Sequence, residues 1–97
     1  MGMYAVRGEQ QIKFSGMLAV AAQKILGDEE IVNHVSFTPR EVIRLISLMV
    51  DLINETPIVA EELTPYRINL RIFDLQKIAF LMDHLNDPDS PENLVFA

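Results

Sequence analysis

Cysteine is absent from the 97 residues, which removes disulfides and thiolate metal sites together. Positive charge is scarce. Eight Lys and Arg stand against 14 Asp and Glu, for a net charge of −6. That balance excludes nonspecific whole-surface binding to nucleic acid, while leaving room for a local basic patch. No apolar run approaches the ~18 residues of a membrane span. No charged-then-apolar leader opens the chain, and Val6 stands where a myristoylation signal wants Ser or Thr. A cytoplasmic protein without a membrane partner is the expectation.

Chemical motifs are equally sparse. Glycine-rich phosphate loops are missing. Neither His34 nor His84 has a second histidine three or four residues on, so the helical zinc motif is missing too. The acidic segment from Asp87 to Glu92 lacks the turn glycine and the final bidentate acid of a calcium loop. Ser15, Ser36, Ser47 and Ser90 carry no local signature of a nucleophile. The expectation is a protein without catalysis, metal or cofactor.

What is present is apolar. Hydrophobic residues make up 49% of the chain and charged residues 23%, which argues against disorder. A chain of this length forms one domain with a modest core, and so many apolar residues are hard to hide in it. A second copy is one remedy, so a homodimer is expected.

The chain is organised around residues 34–54. Val35 and Phe37 alternate with His34 and Ser36, which reads as a strand. Thr38, Pro39 and Glu41 then spell an N-cap, a first helical position and a capping box. The helix to about Asn54 has a narrow polar stripe of Arg40, Arg44, Ser47, Asp51 and Asn54. Its remaining positions, Ile43 and Val50 among them, are mostly apolar. That is wider than a one-sided surface helix needs, so this helix is central or shared with a second chain.

Upstream, residues 4–14 read as a hairpin turning at Gly8, with Ile12 and Phe14 facing one way. Ser15 and Gly27 bracket an almost wholly apolar helix, and an acidic connection follows at 28–30. Downstream, an extra helical turn fits 57–63. Tyr66 to Ile72 alternates over seven residues and reads as a strand, and Asp74 caps a last helix to about Asn86. Residues 1–88 form the domain; 89–97 is a tail with an apolar end that is able to dock.

These elements specify an α+β fold: a three- to four-stranded sheet with about three helices packed on one face. An all-α bundle with extended linkers is the competing architecture. In the α+β fold, Lys13, His34, Arg67, Asn69 and Arg71 share the outer sheet face, without an acid among them. Such a face would take an anionic ligand, a nucleotide or nucleic acid, or would simply be solvated. Inward-turned Phe14 and Phe37 weaken the nucleic-acid version, which wants exposed aromatics to stack on bases. Phe80 sits in the polar stripe of the last helix, either as an interface anchor or covered by Leu94, Val95 and Phe96. Phe80, Ile43, Val50, Leu94 and Phe96 are thus the interface candidates. The sum is a small non-catalytic protein-interaction or regulatory protein of accessory or inhibitor type. It acts as a homo-oligomer on another protein; the alternative is an anion binder.

Overall fold

The computed structural model describes residues 2–27, 33–56 and 64–97, and for residues 66–70 the backbone only. Among these lie four strands and three helices: β1 (Tyr4–Arg7), β2 (Gln10–Lys13), α1 (Gly16–Leu26), β3 (Val35–Phe37), α2 (Pro39–Glu55), α3 (Pro65–Asn86) and β4 (Leu94–Phe96). The expected segments 28–30 and 57–63 fall outside the described residues. The fold is α+β.

Local chemistry accounts for the first half. β1 and β2 pair antiparallel with Arg7 opposite Gln10, leaving Gly8 and Glu9 as a two-residue turn. Gly8 has φ 61° and, among the described residues, no non-glycine residue has positive φ, which is the pattern of a type II′ hairpin turn. The capping box of α2 is complete. The Glu41 N–H donates to Thr38 Oγ1 at 3.3 Å, and the Thr38 N–H donates to Glu41 Oε1 at 2.9 Å. At the end of α1, Gly27 has φ 66° and its N–H donates to the Gln23 carbonyl at 2.8 Å. Ser15 departs from its expected part. It occupies the N-cap position of α1, yet its side chain makes no capping hydrogen bond.

The strands form two antiparallel ladders, β1–β2 and β3–β4, the second with Val35 opposite Phe96 and Phe37 opposite Leu94. One reciprocal pair joins them. The Tyr4 N–H donates to the Ala97 carbonyl at 2.9 Å and the Ala97 N–H to the Tyr4 carbonyl at 3.0 Å. The order across the strands is therefore β2-β1-β4-β3. Residues 89–97 are consequently more than a tail. Leu94 and Phe96 are buried while Val95 between them is exposed, the period-two pattern of a strand with one covered face.

Three phenylalanines meet beneath the strands. Phe14 stacks on Phe37 with centroids 6.5 Å apart, and Phe96 meets both edge-on at 5.3 and 6.1 Å. Leu18 of α1, Val42, Leu45 and Met49 of α2, and Leu81 of α3 complete a fully buried interior. The expected inner-face positions Ile12, Val35 and Phe37 are buried, and Phe14 packs against them.

The expected strand at 66–72 is corrected: these residues are the first turns of α3. Pro65 opens the helix, where its missing N–H does no harm, and no Gly or Pro follows before Asn86. Once the later turns are packed, each earlier residue adds one hydrogen bond per residue fixed, so the helix propagates back through the alternating run. Asp74 therefore caps nothing; it is buried in mid-helix.

Replacing Phe96 by Ala removes the ring that touches both others and is expected to cost about 3–5 kcal/mol. Val95→Ala, at an exposed position of the same strand, should stay within about 0.5 kcal/mol. Urea unfolding of the two variants makes the comparison, and equal losses would deny β4 its place in the core.

Candidate functional site

The five residues expected to form a basic sheet face do not form one. Lys13 lies on β2 and is exposed, and His34 is exposed just before β3. Arg67, Asn69 and Arg71 belong to α3, so no strand carries them. The side chains of Arg67 and Asn69 lie outside the described residues. Arg71 serves the fold. Its Nη1 donates to the Ile53 carbonyl at 3.1 Å and its Nη2 to the Thr56 carbonyl, closing the C-terminal end of α2.

The interface candidates divide. Phe80 is 3% exposed, Leu94 4% and Phe96 0%, so all three belong to the core and none projects as an interface anchor. Ile43 and Val50 remain exposed on α2, seven residues apart with exposed Ser47 between them. His84 carries no helical zinc partner in the sequence, and it lies near the end of α3 as a buried side chain lining a small depression with Pro39 and Ser90.

The residues that share a concavity are different ones. β2 and α3 run side by side and leave a trough of two adjoining depressions, of about 420 and 480 Å³. Gln11 and Ile12 from the strand and Gln76 from the helix border both. At one end stand Lys13, Ser15, Gly16, Phe73, Asp74 and Lys77. At the other stand Glu9, Gln10, Ala79, Phe80 and Asp83. Asp74 and Lys77 are both only 9% exposed, whereas Phe73 is 54% exposed.

Lys77 explains the missing cap. Its Nζ donates to the Ser15 carbonyl at 3.0 Å and to Ser15 Oγ at 3.0 Å, tying α3 to the start of α1. Gly16 fits this crowding. A Cβ there would lie 3.5 Å from Asp74 Oδ1 and 3.8 Å from Lys77 Nζ, on a backbone at φ 62° that side chains rarely adopt. Burial strips water from the Lys77 ammonium and holds its pKa below the ordinary lysine value; the Asp74 carboxylate opposes this and Lys13 adds to it. An amine beside a serine hydroxyl is able to act as a base towards it. Here the same nitrogen also donates to a main-chain carbonyl, which suits an ammonium acting as a tie.

The sequence alone does not assemble this trough, because its two walls lie some 60 residues apart in the chain. Gly16 directly after Ser15, where a helix former is expected, was the one local signal of close approach. Compared with known protein families, with curated proteins and with solved structures, the chain matches none. Among the described residues no group of three or more His, Asp and Glu side chains converges on a metal position.

The lowered Lys77 pKa carries a sign. The unfolded chain holds the extra proton between the folded pKa and the ordinary value of 10.5, so stability due to this group rises with pH through that window and is complete above it. Wild type should therefore gain on Lys77→Met in urea midpoint as pH climbs from neutrality towards 10.5. A difference that stays constant over that range would mean that the buried amine is not desolvated as described.

Proposed function

We propose that the chain is a non-catalytic protein-interaction protein of accessory or inhibitor type, working as a homodimer in the cytoplasm. The supporting observation is an uncovered apolar seam on α3. Ile72 is 43% exposed, Leu75 52% and Met82 48%, and Ala79 between them is exposed as well. The four lie three, four and three residues apart, the spacing of paired helices. The opposite side of the same helix is buried at Asp74, Lys77, Leu81 and His84. α3 is thus packed on one side, while its other side carries apolar residues that the fold leaves uncovered.

The seam suits an antiparallel pair. With two copies centred on residue 77, Ile72 meets the other copy's Met82, and Leu75 meets its Ala79. Large residues then face small or flexible ones, and the helix dipoles oppose. A parallel pair would stack Ala79 on Ala79 and leave a gap there. Among the described residues no helix is long and apolar enough to cross a membrane.

The non-catalytic part rests on the trough. Its one serine–amine pair is locked into a tie between α1 and α3, with the amine donating to a carbonyl as well as to the hydroxyl. The exposed Ile43 and Val50 of α2 give a second, smaller apolar area for another protein.

Light scattering coupled to gel filtration tests the seam. Wild type should run at twice the mass of one chain and Leu75→Glu/Met82→Glu at the mass of one, with unchanged far-ultraviolet circular dichroism. A monomeric wild type at high micromolar concentration would refute self-association through α3.

A further inference from the structure

We infer that the trough between β2 and α3 takes an extended peptide segment of a partner protein, added as a fifth strand on the free edge of β2. The edge follows from the pairing. The Phe14 N–H donates to the Met3 carbonyl, so Met3 and Phe14 face each other across a hydrogen-bonded position. Such positions alternate along an antiparallel ladder, which makes Ala5–Ile12 and Arg7–Gln10 the bonded pairs. Tyr4 confirms the alternation, since its main chain turns away from β2 and bonds Ala97. Gln11 and Lys13 therefore turn their N–H and C=O groups away from β1. Among the described residues nothing bonds to them. They open into the trough, where an incoming strand would find two donors and two acceptors already aligned.

The dimensions agree. Residues 9–13 extend over roughly 13 Å and the α3 wall from Phe73 to Asp83 over roughly 15 Å, so about five residues fit. Ile12 and Phe80 supply an apolar floor, and exposed Phe73 a flank.

Charge sets the order of side chains along the segment. Lys13 and Lys77 against Asp74 leave one cation in excess at one end, and Glu9 and Asp83 leave two anions at the other. A segment antiparallel to β2 then carries an acidic residue at its N-terminal end, opposite Lys13, and a basic residue four places later, opposite Glu9. Its central residue faces Gln11 and exchanges both main-chain bonds with it.

This inference deepens the reading of the chain as a binding protein, and it does not depend on the α3 seam. The test is an amide-resolved NMR titration with acetyl-Glu-Val-Thr-Val-Lys-amide and with the charge-reversed acetyl-Lys-Val-Thr-Val-Glu-amide. The first should shift the Gln11 and Lys13 amides, slow their hydrogen exchange, and bind roughly fivefold tighter than the second, as expected of two exposed ion pairs. Methylating its central amide nitrogen should abolish binding. Glu9→Lys/Lys13→Glu, two exposed positions, should invert the preference between the peptides. Leu75→Glu/Met82→Glu should bind the first peptide as wild type does, so a failed seam leaves this result readable. No shift at millimolar peptide, equal binding of both peptides, or an unchanged preference in the charge-swapped variant would overturn the proposal. So would Gln11 and Lys13 amides already protected in the free protein, which would place a second copy on the edge.

Discussion

The contact among Phe14, Phe37 and Phe96 is the constraint from which the rest of the architecture follows. The three rings come from the end of the first hairpin, from β3 and from the last strand, so their meeting closes the chain from both ends. Once Phe96 is seated, β4 lies against β3 in a fixed register, because a shift of one residue would turn Leu94 and Phe96 to solvent. Ala97 is then beside Tyr4, and two hydrogen bonds join the hairpin to the second ladder. Edge-to-face and offset rings of this kind contribute about 0.5–1.5 kcal/mol per pair beyond the area that they bury.

Polar ties then orient the helices around that centre. Lys77 joins α3 to α1 through Ser15, Arg71 joins α3 to the end of α2, and Arg7 donates to Asp87 Oδ2 at 2.7 Å, fastening the hairpin to the end of α3. Each uses a long side chain whose charged head reaches acceptors on another element. Together they hold α3 at a distance from β2 that leaves the trough open instead of closing it with side chains. α3 is consequently the element with two roles. Its buried side completes the interior, and its outer side carries both the apolar seam and one wall of the trough.

The proposal of a binding protein rests on three open features: a strand edge, a groove with opposite charges at its ends, and an uncovered helix stripe. Under that proposal they would meet main chain, ordered charge and apolar surface, which are properties of other polypeptides.

Much of the fold could be read before any coordinates. The turn at Gly8, the capping box of Thr38 and Glu41, the stop at Gly27 and the inward set Val35 and Phe37 each have causes within a few neighbouring residues, so the chain alone determines them. Three things it did not determine. Tyr66 to Ile72 alternates with a two-residue period, yet it belongs to α3, into which it is drawn as the helix propagates back from its packed later turns. Phe80 sits in a polar stripe but is buried as a member of the core cluster, at the floor of the trough beside β2. Lys77 and Ser15 meet across 62 positions of the chain. The sequence by itself therefore favoured an α+β fold over a helical bundle and determined the extents of α1 and α2 and the inner faces of β2 and β3. Tertiary structure alone decided the docking of β4, the trough and the seam, since those depend on the free energy of contacts between distant segments, which no local pattern encodes.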